Sequence, residues 1–244
     1  MFTKKVNRGS EEIHSKDGPK RRGRPEGTTP QGLEARRRLY EAAIDLIASR
    51  GYEAATLREV AGIAGVSAGL LYKYFPSKQA VVLEFYDELS AEYAARAEEM
   101  AAGKWRNRFA MAMKTCLDVL GPHRKTLISL TPVLVGDTDN GLFAAHTAFS
   151  RKRVERVFLR VVSDASDAPA PAVSDSLGRL LYLLHLSVIL WWLLDKSPKQ
   201  RATHALIALL EKILVSFNVA LMLPQVRGFV RSADELVKEA LFGN

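Results

Sequence analysis

Apolar residues recur along this chain at intervals of three and four from residue 30 almost to the end, the period of helices buried on one face. No stretch alternates apolar and polar positions for long enough to form a strand, and no segment repeats, so the pattern predicts an all-α fold. Thr29-Pro30 opens the first helix with proline at N1, and Leu39, Ala42, Ala43, Leu46 and Ile47 form its stripe as far as Arg50. Thr56 and Glu59 have capping-box spacing and start a second helix. Leu57, Val60, Ala61 and Ala64 share one of its faces, and Gly65 supplies a left-handed stop. Ser67 caps a third helix over 68–75, with Leu71 and Phe75 turned inward and Tyr72, Lys73 and Tyr74 on the other side.

Pro76 then breaks the chain, and Ser77 caps a long helix to about residue 101 with Val81, Val82, Leu83, Phe85, Tyr86 and Leu89 on its apolar side. Beyond Gly103 the pattern predicts helices over 105–120, 123–135, 141–162, 173–195, 198–222 and 233–241. Ser197 with Gln200, and Ser232 with Glu235, have capping-box spacing and set the starts of the last two. Residues 163–171, SDASDAPAP, read as a loop. Residues 177–194 and 205–223 are apolar on more than one side, more than one domain core covers. This points to a homodimer through the helices near 173–195 and 198–222, packed as a two-fold four-helix interface.

The formal net charge is +8, unevenly spread: basic up to Arg38, acidic from residue 39 to 100, and basic again beyond. A single cysteine, Cys116, excludes a disulfide framework within the chain and fits a reducing, cytoplasmic setting. The first residues carry no apolar segment of a secretory signal. The longest apolar run, 180–194, contains His185 and Ser187 and is shorter than the ~20 residues of a membrane span, which favours a buried helix and no membrane partner. Residues 1–30 combine Gly, Pro, Ser and charge without periodicity and are expected to be disordered when free. Within them Arg22-Gly23-Arg24-Pro25, flanked by Lys20 and Arg21, resembles the core of an AT-hook. Gly23 lets the backbone sit deep in a narrow A·T minor groove, where two arginines meet its negative potential.

Two short helices joined by a glycine-containing turn make a helix-turn-helix, whose second helix enters the major groove of double-stranded DNA. Ala61, Gly62, Ala64 and Gly65 permit the close helix contact it needs. Thr56, the AGVS at 64–67, the LYKYF at 71–75 and the SK at 77–78, preceded by Arg50-Gly51-Tyr52, resemble the signature of TetR-type transcriptional regulators over residues 33–90. The resemblance implies an all-helical homodimer on a pseudo-palindromic operator. It divides the chain into the basic arm (1–30), an N-terminal three-helix helix-turn-helix domain (31–76) and a C-terminal helical bundle for ligand binding and dimerisation (77–244). It also places Thr56, Tyr72, Tyr74 and Lys78 at backbone-contacting positions, and makes the helix after Ser77 the transmitter of ligand state.

Base reading falls to Ala68, Gly69, Leu70 and Lys73, with Arg58 at the start of the preceding helix. Lys73 suits guanine O6/N7, while Leu70 and Ala68 suit thymine methyls. This apolar first turn departs from relatives with a polar one, so specificity is expected to lean on Arg58, Lys73, DNA shape and the Arg22/Arg24 arm. One or two of Arg36, Arg37 and Arg38 are expected at phosphates.

The resemblance also implies a pocket for a small, largely apolar effector, for which Met111, Phe143, His146, Tyr182, His185 and Trp192 are candidates. Enzymatic constellations are missing: the five histidines are scattered, Cys116 has no CxxC partner, and no phosphate-binding glycine loop occurs. Residues 65–69 spell G-x-S-x-G, but a nucleophile elbow needs a strand before the serine, and here a helix precedes it. No catalytic residue, metal or cofactor is expected. The chain therefore reads as a ligand-responsive repressor. An architectural DNA binder without an effector, and a helical enzyme or membrane-attached protein built around 180–194, remain as alternatives.

Overall fold

The Thr29 hydroxyl accepts a hydrogen bond from the Gly32 N–H at 3.1 Å and Pro30 fills N1, so helix α1 (Pro30–Arg50) begins at the expected residue. The computed structural model describes residues 29–136 and 141–242; the basic arm, with Arg22 and Arg24, lies outside them. Among the described residues α1 is followed by α2 (Leu57–Ala64), α3 (Ala68–Tyr74), α4 (Lys78–Glu98), α5 (Trp105–Leu120), α6 (Arg124–Gly136), α7 (Ala148–Ser163), α8 (Pro171–Leu194), α9 (Arg201–Ala220) and α10 (Pro224–Phe242), and no strand occurs.

The α1 stripe is buried against α2 and α3, together with Val60, Ala61, Ala64, Leu71 and Phe75. Phe75 lies 6.3 Å from the Tyr40 ring and carries the Arg36 guanidinium at 5.1 Å on its face. Helix α4 belongs to both halves of the molecule. Its first turns pack beside α1, where the Arg36–Glu84 ion pair and the Tyr40–Glu88 hydrogen bond at 2.5 Å join the two helices. Further along, Tyr93 reaches the Phe158 ring of α7 at 6.5 Å.

Helices α7 and α8 form the centre of the C-terminal bundle. A Cβ on Gly178 would stand 2.9 Å from the Leu159 Cα, so glycine is what permits this crossing. Helix α10 is tied to α8 by Asp234, which is 1 % exposed and accepts from Arg179 Nε and Nη2 at 2.7 and 2.6 Å and from the Ser176 hydroxyl at 3.0 Å. Lys238 adds a contact at 3.1 Å. Burial opposes the charge of this carboxylate, yet Arg179, Lys238 and Ser176 hold its pKa below the ordinary value.

Three helix starts differ from the sequence reading. Helix α7 begins at Ala148 rather than 141, because Thr147 Oγ1 lies 2.9–3.1 Å from the carbonyls of Gly141, Leu142 and Ala144 and stabilises a turn before it. The Ser197/Gln200 capping box does not form. Lys199 and Gln200 are left-handed, at φ 53° and 51°, and α9 starts at Arg201. Its first N–H groups are satisfied from further back, Ala202 by the Ser197 hydroxyl and Thr203 by the Asp195 carboxylate, both at 2.9 Å. Helix α10 begins at Pro224, so Ser232 sits inside it and caps nothing. At the end of α8, Arg124 donates to the carbonyls of Trp192, Leu193 and Asp195 and lies over the Trp192 ring.

Two segments, Pro171–Leu194 and Pro198–Ala220, are long and apolar enough to cross a membrane by length and composition. The length argument drawn from residues 180–194 therefore fails. Burial supplies a different argument for α8: Leu177, Leu181, Val188 and Trp192 are packed inside the bundle.

Candidate nucleic-acid interface

The reading head is fixed by local bonds. The Thr56 hydroxyl accepts from the Glu59 N–H at 3.3 Å and donates to Glu59 Oε2 at 2.8 Å, while the Thr56 N–H donates to the same carboxylate. These bonds, with Arg50 at 2.7 Å from Glu59 Oε1, hold the Glu59 pKa below its ordinary value, chiefly through Thr56. Gly65 adopts φ 65°, ψ 36°, and the Val66 N–H returns to the Ala61 carbonyl at 3.0 Å, which turns the chain sharply into α3. The Ser67 hydroxyl accepts from the Leu70 N–H at 3.2 Å; it is a helix cap, as the sequence indicated.

Helix α3 then sorts its residues by side. Leu71 and Phe75 are buried, whereas Ala68, Gly69, Tyr72 and Lys73 are exposed, with Leu70 and Tyr74 half-buried at the edges. Lys73 Nζ lies 5.8 Å from the Tyr74 ring, and Arg58 is exposed at the start of α2 with no ion pair among the described residues. Two cationic groups therefore flank a small, apolar first turn. Lys78 is arranged differently from the other rim residues: its ammonium donates to the carbonyls of Tyr52 and Glu53 at 2.7 and 3.3 Å and lies 4.5 Å from the Tyr52 ring. Of the clustered arginines, Arg36 pairs with Glu84 and Arg37 with Glu34 and Glu41, which leaves Arg38 exposed.

The six candidate effector residues do not converge. Tyr182 and His185 are buried in one aromatic cluster with Tyr93, Phe109 and Phe158, whose centre is the His185 ring, 4.6 Å from Phe158 and 5.9 Å from Tyr93. Cys116 Sγ is 3.1 Å from His185 Nε2. Burial pushes the thiol pKa up and holds the imidazole down at about 3, so the contact joins a neutral thiol and a neutral ring. The hydroxyls of Tyr93 and Tyr182 are buried without a hydrogen-bond partner among the described residues, and His185 Nδ1 makes no bond of good geometry.

Trp192, by contrast, is buried under Arg124 at the end of α8. Met111, Phe143 and His146 are exposed, Phe143 beside Arg151 and His146 beside Gln79, because each lies on the outward side of its helix or turn. Sequence reasoning missed Tyr93, Phe109, Cys116 and Phe158. Tyr93 was legible in principle, since it extends the α4 stripe four residues past Leu89. No group of three or more metal-ligating side chains occurs among the described residues.

A short helix, a left-handed glycine and a second helix with an exposed cationic edge define a helix-turn-helix. Residues 39–85 match the family described as bacterial regulatory proteins, tetR family. That match takes in α2 and α3 with parts of α1 and α4. Among curated proteins it is 36 % identical over 74 residues to the uncharacterized HTH-type transcriptional regulator YerO of Bacillus subtilis, covering 29 % of this chain and 26 % of that one. It is 49 % identical over 45 residues to the HTH-type transcriptional repressor KstR of Rhodococcus jostii, covering 18 % and 21 %. The chain thus spans from about a quarter to just over half of the length of the first curated relatives it matches.

The fold is shared more widely. A tetR-family transcriptional regulator from Streptomyces coelicolor superposes with a TM-score of 0.60 at 22 % identity, covering 84 % of this chain and 89 % of that one. The regulator FadR from Bacillus subtilis, solved in complex with stearoyl-CoA, superposes with a TM-score of 0.54 at 18 % identity, covering 71 % and 96 %.

Proposed function

We propose that this chain is a ligand-responsive transcriptional repressor that binds a pseudo-palindromic operator as a homodimer. The observation that carries this reading is the sorting of α3, which buries Leu71 and Phe75 and leaves Tyr72, Lys73 and the small first turn free to enter a major groove. Residues 31–76 act as the DNA-binding domain and 77–244 as the effector and dimerisation domain. Thr56, Tyr72 and Tyr74 position the backbone, Arg58 and Lys73 read bases, and Arg22 and Arg24 of the arm enter an adjacent A·T minor groove. At Lys78 the side chain is already engaged, so the contact there falls to the first N–H groups of α4.

The dimer is supported by what the single chain leaves uncovered. Leu209, Ile213 and Val219 on α9, and Trp191 and Leu194 at the end of α8, are large apolar side chains at least half exposed. Phe229 and Leu236 extend this surface onto α10, which the sequence reading had not included. A second copy covers such a surface by two-fold symmetry, in keeping with a chain free in the cytoplasm.

The effector site is read at the Tyr93–Phe158–Tyr182–His185 cluster, where polar tips inside an apolar wall match a small, largely apolar molecule with hydrogen-bond acceptors. Two names among the relatives favour an apolar effector: the fatty acid metabolism regulator protein of Bacillus subtilis, and FadR with its stearoyl-CoA. Tyr93 and the Glu84/Glu88 pair with α1 stand on the same helix, so α4 couples the site to the reading head as a shift between two populations. Selection of bound DNA from a random library, with the full chain and with residues 1–27 deleted, tests the proposal. A palindromic motif that survives the deletion supports it, and A·T-rich enrichment that vanishes with the arm leaves only an architectural binder.

A further inference from the structure

A groove of about 550 Å³ runs along the outside of the C-terminal bundle, between the second half of α4 and α7. Its floor is apolar, made by Ala91, Ala94 and Ala95 of α4 with Val157 of α7. Its wall is a ladder of guanidinium groups: Arg153, Arg156 and Arg160 follow one another on the same side of α7, and Arg108 of α5 closes the end.

The charges in this groove are not balanced. Arg108 is only 6 % exposed, and its nitrogens donate to the carbonyls of Ala101, Arg160 and Val161 at 3.0–3.2 Å. Its nearest carboxylate is Asp164, 3.9 Å away, and Asp164 already serves Arg160 at 3.1 Å. Arg153 is held by Asp87 at 2.8 Å from outside the groove. Arg156 is exposed and has no ion pair among the described residues. Four guanidinium groups thus face the two lining carboxylates, Glu98 and Asp164, and positive charge remains in excess even with Asp87 counted.

We propose that this groove is a binding site for a phosphate-bearing small molecule. The phosphate is taken by Arg156 and Arg160, and the flat or chain-like remainder lies on the alanine floor. Guanidinium forks match phosphate oxygens in pairs, and the held Arg108 and Arg153 add fixed positive charge beside them. The volume lies within the range that small-molecule sites occupy. The site is separate from the aromatic cluster: Tyr93 and Phe158 face inward from the helices whose outer sides carry Ala94 and Val157. It does not depend on the effector reading or on DNA binding.

Isothermal titration of the full chain with ADP, inorganic pyrophosphate and adenosine tests the assignment. Saturable binding of ADP and of pyrophosphate is expected, with none of adenosine. An Arg156→Ala/Arg160→Ala variant, altered only at exposed positions, is expected to weaken both by about tenfold or more, the loss of at least one charge-assisted bond, with its melting temperature unchanged. Arg156→Glu alone, reversing charge at one exposed residue, is expected to weaken them too. No saturable heat with either phosphate overturns the proposal. Equal binding by the wild type and both variants also overturns it, since it places the anion on the basic arm.

Discussion

Lys73 and Arg58 are the exposed cations that flank the apolar start of α3, so sequence discrimination should be concentrated in them. Lys73→Ala is expected to cost about 1–3 kcal/mol at the selected operator and to relax preference at one base pair, as measured by fluorescence anisotropy on single-base variants. Tyr72→Phe should instead weaken all sequences alike, because a backbone contact carries no base information. The exposed side of α3 was legible from sequence because the helical period and two local caps decide which side is buried. The aromatic cluster around His185 was only partly legible. Tyr182 and His185 could be picked as polar tips in an apolar helix, but their neighbours come from α4, α5 and α7, and no local pattern brings Tyr93, Cys116 and Phe158 to one imidazole.

His185 gives the core a pH dependence. Its folded-state pKa is held at about 3 by burial, below the value of about 6.5 for a free imidazole, so the unfolded chain takes up the proton first. The stability that neutral His185 contributes is complete above pH ~6.5 and falls as the pH drops toward ~3. Melting temperatures measured from pH 7.5 to 5 should therefore decline, and His185→Leu should flatten that decline. An identical slope in the variant would assign the effect to other groups.

Among the helices, the first four begin where the sequence places them because Thr29, Thr56, Ser67 and Ser77 each cap a helix within three residues. The starts of α7, α9 and α10 were misplaced for different reasons: the first depends on a turn held by Thr147, the second on Asp195 reaching eight residues forward to Thr203, and the third lies at Pro224, well before the Ser232 cap signal. The α7–α8 crossing and the α8–α10 anchor were also invisible, since they depend on partners distant in the chain. Gly178→Ala should cost about 1–3 kcal/mol in denaturant unfolding, because the added methyl meets the Leu159 backbone rather than a movable side chain. Arg179→Ala should cost about 2 kcal/mol, less than a fully unpaired buried charge, since Ser176 and Lys238 remain on Asp234.

The molecule as a whole pairs a helix-turn-helix of modest local charge with a bundle that leaves large apolar side chains of α8, α9 and α10 exposed. That surface is what a single sequence conveyed through helices apolar on several sides, though it gave no sign that α10 takes part. Ile213→Glu together with Val219→Glu places two charges on the exposed side of α9 and should yield a monomer in sedimentation velocity, with operator affinity lost while the helical content stays. The effector reading belongs to the same level, because α4 links the cluster at Tyr93 to the bonds made by Glu84 and Glu88 with α1. The most direct test is the stoichiometry of the complex, obtained by sedimentation of the full chain on the selected DNA. Two chains bound together to one duplex, on half-sites ~34–36 Å apart, is the expected result. One chain per site, or binding that grows with duplex length without a defined limit, would contradict a dimeric reader of a two-fold operator.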